Sequence, residues 1–245
     1  MRKLIAISIF LLGTSSILAQ DSYFDENKNV VRGEKLQYKI KYGWFKIGEA
    51  TVWTDSEFHM IDDEPHYLVQ FNLKTAGWAK FFSSVKVEFK SYIHAENFQP
   101  HHAYRGLSTS KKVNNQQDKF RYQDSVYVET YREDRDETRM NAYPLEGPTF
   151  TDALGTYLYV RGQSLNLDQN ENVRFYIANR IYDFEMTPDR KESSSKKKYY
   201  KLIFPPIKEF PRHKTSYAVL DRNKNIPLEI KLASNNGNFF LILDD

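Results

Sequence analysis

Apolar and polar side chains alternate with a period of two along most of this chain, and that pattern admits little besides β-strands. Leu36, Tyr38, Ile40 and Tyr42 alternate with Gln37, Lys39 and Lys41. A strand with this pattern buries one face and leaves the other in water. The same reading gives strands at Glu49–Thr54, Tyr67–Leu73 and Val85–Ile93, then at Pro100–Leu107, Lys119–Gln123, Ser125–Arg132 and Thr138–Tyr143. Six more follow: Val173–Ile177, Arg180–Thr187, Tyr199–Phe204, Ser216–Leu220, Leu228–Leu232 and Phe239–Leu243. Polar turns separate them, and Asn179-Arg180 and Asn235-Asn236-Gly237-Asn238 read as hairpin turns. Loops this short impose mostly antiparallel pairing, because parallel neighbours need long crossovers. The 17 Tyr and 17 Phe suit a chain made of strands.

One segment breaks the alternation. Phe150, Ala153, Leu154, Tyr157, Leu158 and Arg161 recur at helical spacing. Thr149 or Thr151 is available as an N-cap, Asp152 falls in the first turn, and Gly162 stands where a C-terminal glycine belongs. The expected fold class is therefore all-β with one central helix. Its curved antiparallel up-and-down sheet forms an open barrel or two half-barrels, with the helix across its apolar concave side.

The first residues read as a secretory signal. Arg2 and Lys3 precede an apolar run from Leu4 to Leu12, and Ala19-Gln20 is the expected cleavage point. The run is far shorter than the roughly 20 residues that span a bilayer. The expected organisation is thus residues 1–19 as signal peptide, 20–30 as a flexible lead-in and 31–245 as one β-rich domain, exported to the periplasm or beyond. The chain has no cysteine, which excludes a lipid-modified N-terminal cysteine, disulfides and thiolate chemistry. Without Arg2 and Lys3 the 35 basic residues fall to 33 against 32 acidic ones, so nothing electrostatic points to nucleic acid.

Several small blocks carry a resemblance. Gly33-Glu34-Lys35-Leu36-Gln37-Tyr38 and Tyr42-Gly43-Trp44-Phe45-Lys46-Ile47-Gly48-Glu49-Ala50 come first, then Lys90-Ser91-Tyr92-Ile93 and Phe98-Gln99-Pro100. The segment from Thr151 to Arg161 and the turn from Asp221 to Pro227 complete the series. In order and spacing it resembles the bacterial domain-of-unknown-function family 3108, with Tyr217-Ala218-Val219 where that family often carries a tryptophan-containing strand. The resemblance implies an exported β-rich envelope protein without an assigned reaction, and it brings no catalytic residues.

Catalytic motifs are lacking: no Gly-x-Ser-x-Gly, no His-Glu-x-x-His and no phosphate-binding glycine loop occurs. A non-enzyme without cofactor or metal is expected. His101 and His102 are neighbours, so on a regular strand they point to opposite faces. His59 and His66 flank Asp62, Asp63 and Glu64 in a spacing that matches no standard metal motif. Tyr131 to Arg139 reads as a solvated salt-bridge cluster, and Arg190 to Lys198 as a solvated hairpin loop or, alternatively, a contact with anionic lipid head groups. A glycan-acting enzyme would need two facing carboxylates, for which Asp152 with Glu49 or Glu88 are the nearest candidates.

The unusual stretch is Ala76 to Phe82. It joins two strands, where polar residues are the rule, yet carries Trp78, Phe81 and Phe82 at i, i+3 and i+4. It reads as an aromatic lid on an open sheet end, or as a hydrophobic mouth that meets a lipid or membrane surface. With Phe150, Leu154, Tyr157 and Leu158 of the helix, these residues form the expected ligand-binding set. The leading expectation is binding or carriage of a hydrophobic ligand, with at most peripheral membrane contact. The alternative is an envelope assembly protein that binds another protein and no small ligand.

Overall fold

Among the described residues, hairpin after hairpin builds a single sheet of fifteen strands. The computed structural model describes residues 29–81, 84–162, 168–177, 179–204, 214–235 and 237–244, with Trp78 by its backbone alone. The expected signal segment and nearly all of the lead-in lie outside these residues. The first eight strands are β1 (Lys35–Tyr42), β2 (Phe45–Ile61), β3 (Glu64–Thr75), β4 (Val85–His94), β5 (Pro100–Thr109), β6 (Val113–Tyr122), β7 (Ser125–Arg132) and β8 (Glu137–Pro144). A short β9 (Phe150–Asp152) runs into the helix α1 (Ala153–Gly162). Then come β10 (Glu171–Ile177), β11 (Arg180–Pro188), β12 (Lys197–Ile203), β13 (Ser216–Asp221), β14 (Pro227–Ser234) and β15 (Gly237–Leu243).

The spatial order is β8-β7-β6-β5-β4-β3-β2-β1-β15-β14-β13-β12-β11-β10-β9. Two up-and-down halves are thus stitched by the first and last strands, with Tyr38 opposite Leu243 and Tyr42 opposite Phe239. Consecutive β8 and β9 do not pair, so the sheet stays open between them. Side chains cover that seam. Tyr176 of β10 packs edge-on against Phe120 of β6 at 5.4 Å and against Tyr143 of β8 at 5.7 Å. The parallel pair of β9 with β10 is joined through α1, the long crossover that parallel strands require.

Three differences from the sequence reading have local causes. Phe150–Asp152 is strand rather than helix, because Phe150 and Thr151 pair with Arg174 and Phe175 of β10. The cap is Asp152, whose Oδ1 accepts from the Gly155 amide at 2.6 Å, so the helix begins three residues later than its apolar spacing suggests. β6 begins at Val113 rather than Lys119, since Gln116 and Asp118 turn inward as buried polar residues and blank out the alternation.

The helix is wrapped rather than laid on one face. Leu154 and Leu158 join the core of Tyr38, Val52, Tyr67, Val69 and Ile93, while Val160 packs against Val173, Met186, Tyr200 and Leu220 in the other half. It descends from the seam toward the end where β1 starts. There Arg161, fully buried, pairs with Glu34, donates to the Tyr157 hydroxyl at 2.8 Å and donates to the Asn29 carbonyl at 2.7 Å. Asn225, in the turn between β13 and β14, donates to the Arg161 carbonyl at 3.4 Å.

Candidate functional site

The turns of β1–β2, β3–β4, β5–β6, β12–β13 and β14–β15 all come to one end of the sheet, since Tyr42 lies opposite Phe239 and Val85 opposite Thr109. Of the twelve exposed large apolar side chains among the described residues, eight sit at this end. Trp44 is 82% and Phe81 90% exposed. Phe45, Val113, Ile203 and Phe239 are each at least two-fifths exposed. Trp44 stacks at a tilt on Phe45 at 4.6 Å within the β1–β2 turn, and Tyr42 on Phe239 at 5.1 Å joins that turn to β15, so this end carries an aromatic rim. Lys46, Lys80, Lys111 and Lys112 stand exposed around it.

The residues expected to bind a ligand divide between this rim and the core. Gly77–Phe81 forms a 3-10 turn from which Phe81 projects into solvent. Phe82 and the side chain of Trp78 lie outside the described residues. Phe150, Leu154 and Leu158 are buried core positions, and Tyr157 is committed to the Arg161 guanidinium, its phenol pushed up to about 12 first by burial. Trp44, Phe45 and Phe239 were missed as site residues. Two adjacent aromatics directly after Gly43 in a hairpin turn were the available signal, because turns rarely spend large apolar side chains.

Between the middle of β4–β6 and the start of α1 lies a small pocket of about 40 Å³, lined by Arg105, Asp118, Asp152 and Tyr176 together with apolar residues such as Phe89 and Leu154. Asp118 accepts from Gln116 at 2.9 Å, Thr130 at 2.5 Å and Tyr176 at 3.2 Å. Burial holds both the Asp118 and Asp152 carboxyls above the usual carboxylate range, against these bonds and the Gly155 amide. The carboxylate nearest to Asp152 in charge effect is therefore Asp118. Glu49 and Glu88, the partners expected from sequence, are held by lysines instead: Glu49 by Lys46 at 2.8 Å, Glu88 by Lys90 at 3.0 Å. A pocket this size holds about one water and no sugar ring.

The opposite end is polar and carries the histidines. A bulge between Tyr92 and Ile93 of β4 shifts the β5 register, so that His101 no longer alternates with His102. Their Nδ1 atoms are 2.6 Å apart instead of on opposite faces. His66, almost fully buried, contacts His94 and His101 with ring centroids at 5.3 Å and places its Nδ1 2.9 Å from the Glu64 carbonyl. Asp62 lies 3.4 Å from His101 and Glu64 3.4 Å from His94. Among the described residues no three His, Cys, Asp or Glu are placed to hold a metal ion.

Burial, then the neighbouring His94 and His101, depresses the His66 imidazole; burial, then His101, Lys119 and His66, depresses His102. A depressed folded-state value means the unfolded chain binds protons first. Stability is therefore undiminished above the ordinary imidazole value of about 6.5 and falls as the pH drops below it. His66→Asn, which keeps a donor for the Glu64 carbonyl, is expected to flatten that slope in urea unfolding between about pH 7 and pH 5. An unchanged slope would remove His66 from the account.

An open, single-sheet barrel wrapped on one helix defines a β-barrel-like class of protein. A crystal structure of a β-barrel-like protein of the unknown-function family DUF1849 from Brucella abortus superposes with a TM-score of 0.55 at 11% identity, covering 88% of this chain and 98% of that one. Residues 37–244 match the model of the protein family of unknown function DUF3108, and the chain belongs to that family. No curated protein matches it. No catalytic family is indicated, and the activity of the family is unassigned.

Proposed function

We infer that this is a non-enzymatic binding protein of the cell envelope that seats its aromatic rim on a lipid surface. One observation carries the reading: the most exposed aromatics, Trp44 and Phe81, project from adjacent turns at one end, with lysines beside them and the polar histidine end opposite. Aromatic side chains sit well at a membrane interface, and lysines snorkel toward anionic head groups. An enclosed carrier is less favoured, since Phe150, Leu154 and Leu158 are packed core. A protein partner on the same rim remains the second reading, supported by its apolar character alone.

The test is co-sedimentation with phosphatidylcholine vesicles with and without phosphatidylglycerol. Binding should rise with the anionic lipid and weaken with salt. The Trp44→Ala/Phe81→Ala double variant should bind at least about tenfold more weakly, as two aromatics leave the interface. Both side chains are exposed, so unfolding does not confuse the result. Equal sedimentation of variant and parent, or none by the parent, would sink the reading.

A further inference from the structure

We propose that the outer face of β1–β4 carries a second site, a groove for an anionic saccharide, meaning a sugar that bears a phosphate or a carboxylate. The groove is a half-open concavity of about 520 Å³, which falls in the size range of small-molecule sites. It lies over strands whose other face is core: Lys35, Gln37, Thr51 and Trp53 line it, Val52 between them belongs to the core, and the core residues Tyr38 and Ala50 also border it.

The floor is a cross-strand row of neutral hydrogen-bonding groups. Gln37 stands opposite Thr51, and Thr51 opposite Asn72. The Asn72 Oδ1 atom is buried and accepts no hydrogen bond among the described residues. A buried acceptor left in this state costs free energy, and rotation of the Asn72 amide toward the groove would let a ligand hydroxyl supply the missing donor. Trp53, opposite Lys35, lines the groove beside this row and offers an aromatic surface to a sugar ring.

The walls are positive. Lys74 and Lys86 stand directly opposite each other on β3 and β4, an arrangement of like charges that destabilises a sheet unless an anion is shared. The carboxylates in the groove are already engaged: Glu49 lies 2.8 Å from Lys46 and 3.6 Å from Lys74, and Asp244 pairs with Lys39. Lys86 reaches Glu88 only at 3.9 Å, and Glu88 is nearer Lys90. Lys35 has no acidic partner among the described residues. Neutral hydrogen-bonding groups plus a tryptophan address the sugar; surplus lysines address its charge.

The saccharide could reach the groove free in solution or as the head group of a lipid, because the groove opens beside the turns that carry the rim. The site does not depend on the rim reading. The test is an NMR titration of the folded chain, following the Trp53 indole N–H, with glucose 6-phosphate, glucuronic acid and neutral glucose as probes. Vesicles containing a phosphatidylinositol phosphate are assayed in parallel. At least one anionic sugar should bind saturably and at least tenfold more tightly than glucose. Lys74→Gln/Lys86→Gln, an exposed pair, should weaken it tenfold or more, while Trp44→Ala/Phe81→Ala leaves it unchanged. Binding only to the phosphoinositide vesicles, lost in the lysine variant, assigns the same site to a head group. No binding to any anionic probe or to these vesicles, or binding that the lysine variant leaves intact, overturns the proposal. Loss of vesicle binding in the rim variant alone speaks to the rim and not to the groove.

Discussion

Arg161→Leu is expected to lower the stability of the fold by about 3–5 kcal/mol, the range for removing one partner of a buried ion pair. For a chain of this size that corresponds to a melting temperature lower by roughly 6–20 °C. Arg161 is completely buried, and its guanidinium serves three acceptors at once: the Glu34 carboxylate, the Tyr157 hydroxyl and the Asn29 carbonyl. Leucine fills much of the volume but leaves Glu34 at the edge of an apolar core without its counter-charge. It also leaves the Asn29 carbonyl without that donor. Because Glu34 precedes β1 and Arg161 lies in the last turn of α1, the loss separates the helix from the strand that stitches the two halves together. Arg161→Lys should recover little, since an ammonium cannot fork between Glu34 and Asn29. The double variant Glu34→Gln/Arg161→Met should lose less than Arg161→Leu alone, because no uncompensated charge is left behind. Urea midpoints measure all three. A loss below about 1 kcal/mol for Arg161→Leu would show that the pair contributes little beyond its desolvation cost.

This network also explains what the sequence blocks encode. Glu34 lies in the first block, Arg161 ends the central one and Asn225 lies in the last, and all three meet at one point of the fold. The strands were legible because most bury one face only, so their period of two survives in the sequence. β6 was half lost for the opposite reason: its Gln116 and Asp118 bury polar groups against Asn179 and Tyr176, and a buried polar residue reads as an exposed one. The histidine pair misled because a one-residue bulge reverses the facing of everything near it, and nothing in Tyr92–His102 announces the bulge. For the rim, the Ala76–Phe82 stretch was visible as aromatics out of place. Trp44 and Phe45 come beside it through the pairing of β2 with β3, and Phe239 only once β1 pairs with β15, a contact between the two ends of the chain.

Gly162 was read as a helix terminator, and its position in the fold gives it a different job that a mutant cycle can isolate. A Cβ on Gly162 would lie 2.3 Å from the Phe98 ring, and one on Gly155 would lie 3.0 Å from the Phe98 carbonyl oxygen. Two turns of the helix are thus kept bare on one face so that Phe98 can lie along it, edge-on to Tyr159 at 6.2 Å. The ring is only 2% exposed, so it has no room to swing aside, and Phe98 itself holds a left-handed φ of 60° to reach this place. Phe98→Ala is expected to cost about 3–5 kcal/mol, the usual range for emptying a buried aromatic site. Gly162→Ala alone should cost about 1–3 kcal/mol through overpacking, despite the better helix propensity of alanine. In the Phe98→Ala background the clash is gone, and the same glycine replacement should become neutral or slightly stabilising. The difference, a coupling of about 1–3 kcal/mol, is read from four denaturation curves. Additive losses would mean that Gly162 is present for its backbone conformation at the helix end. Strong coupling would mean that the glycine is there to admit the Phe98 ring, and that the fit of this ring against the helix fixes where α1 sits between the two halves of the sheet.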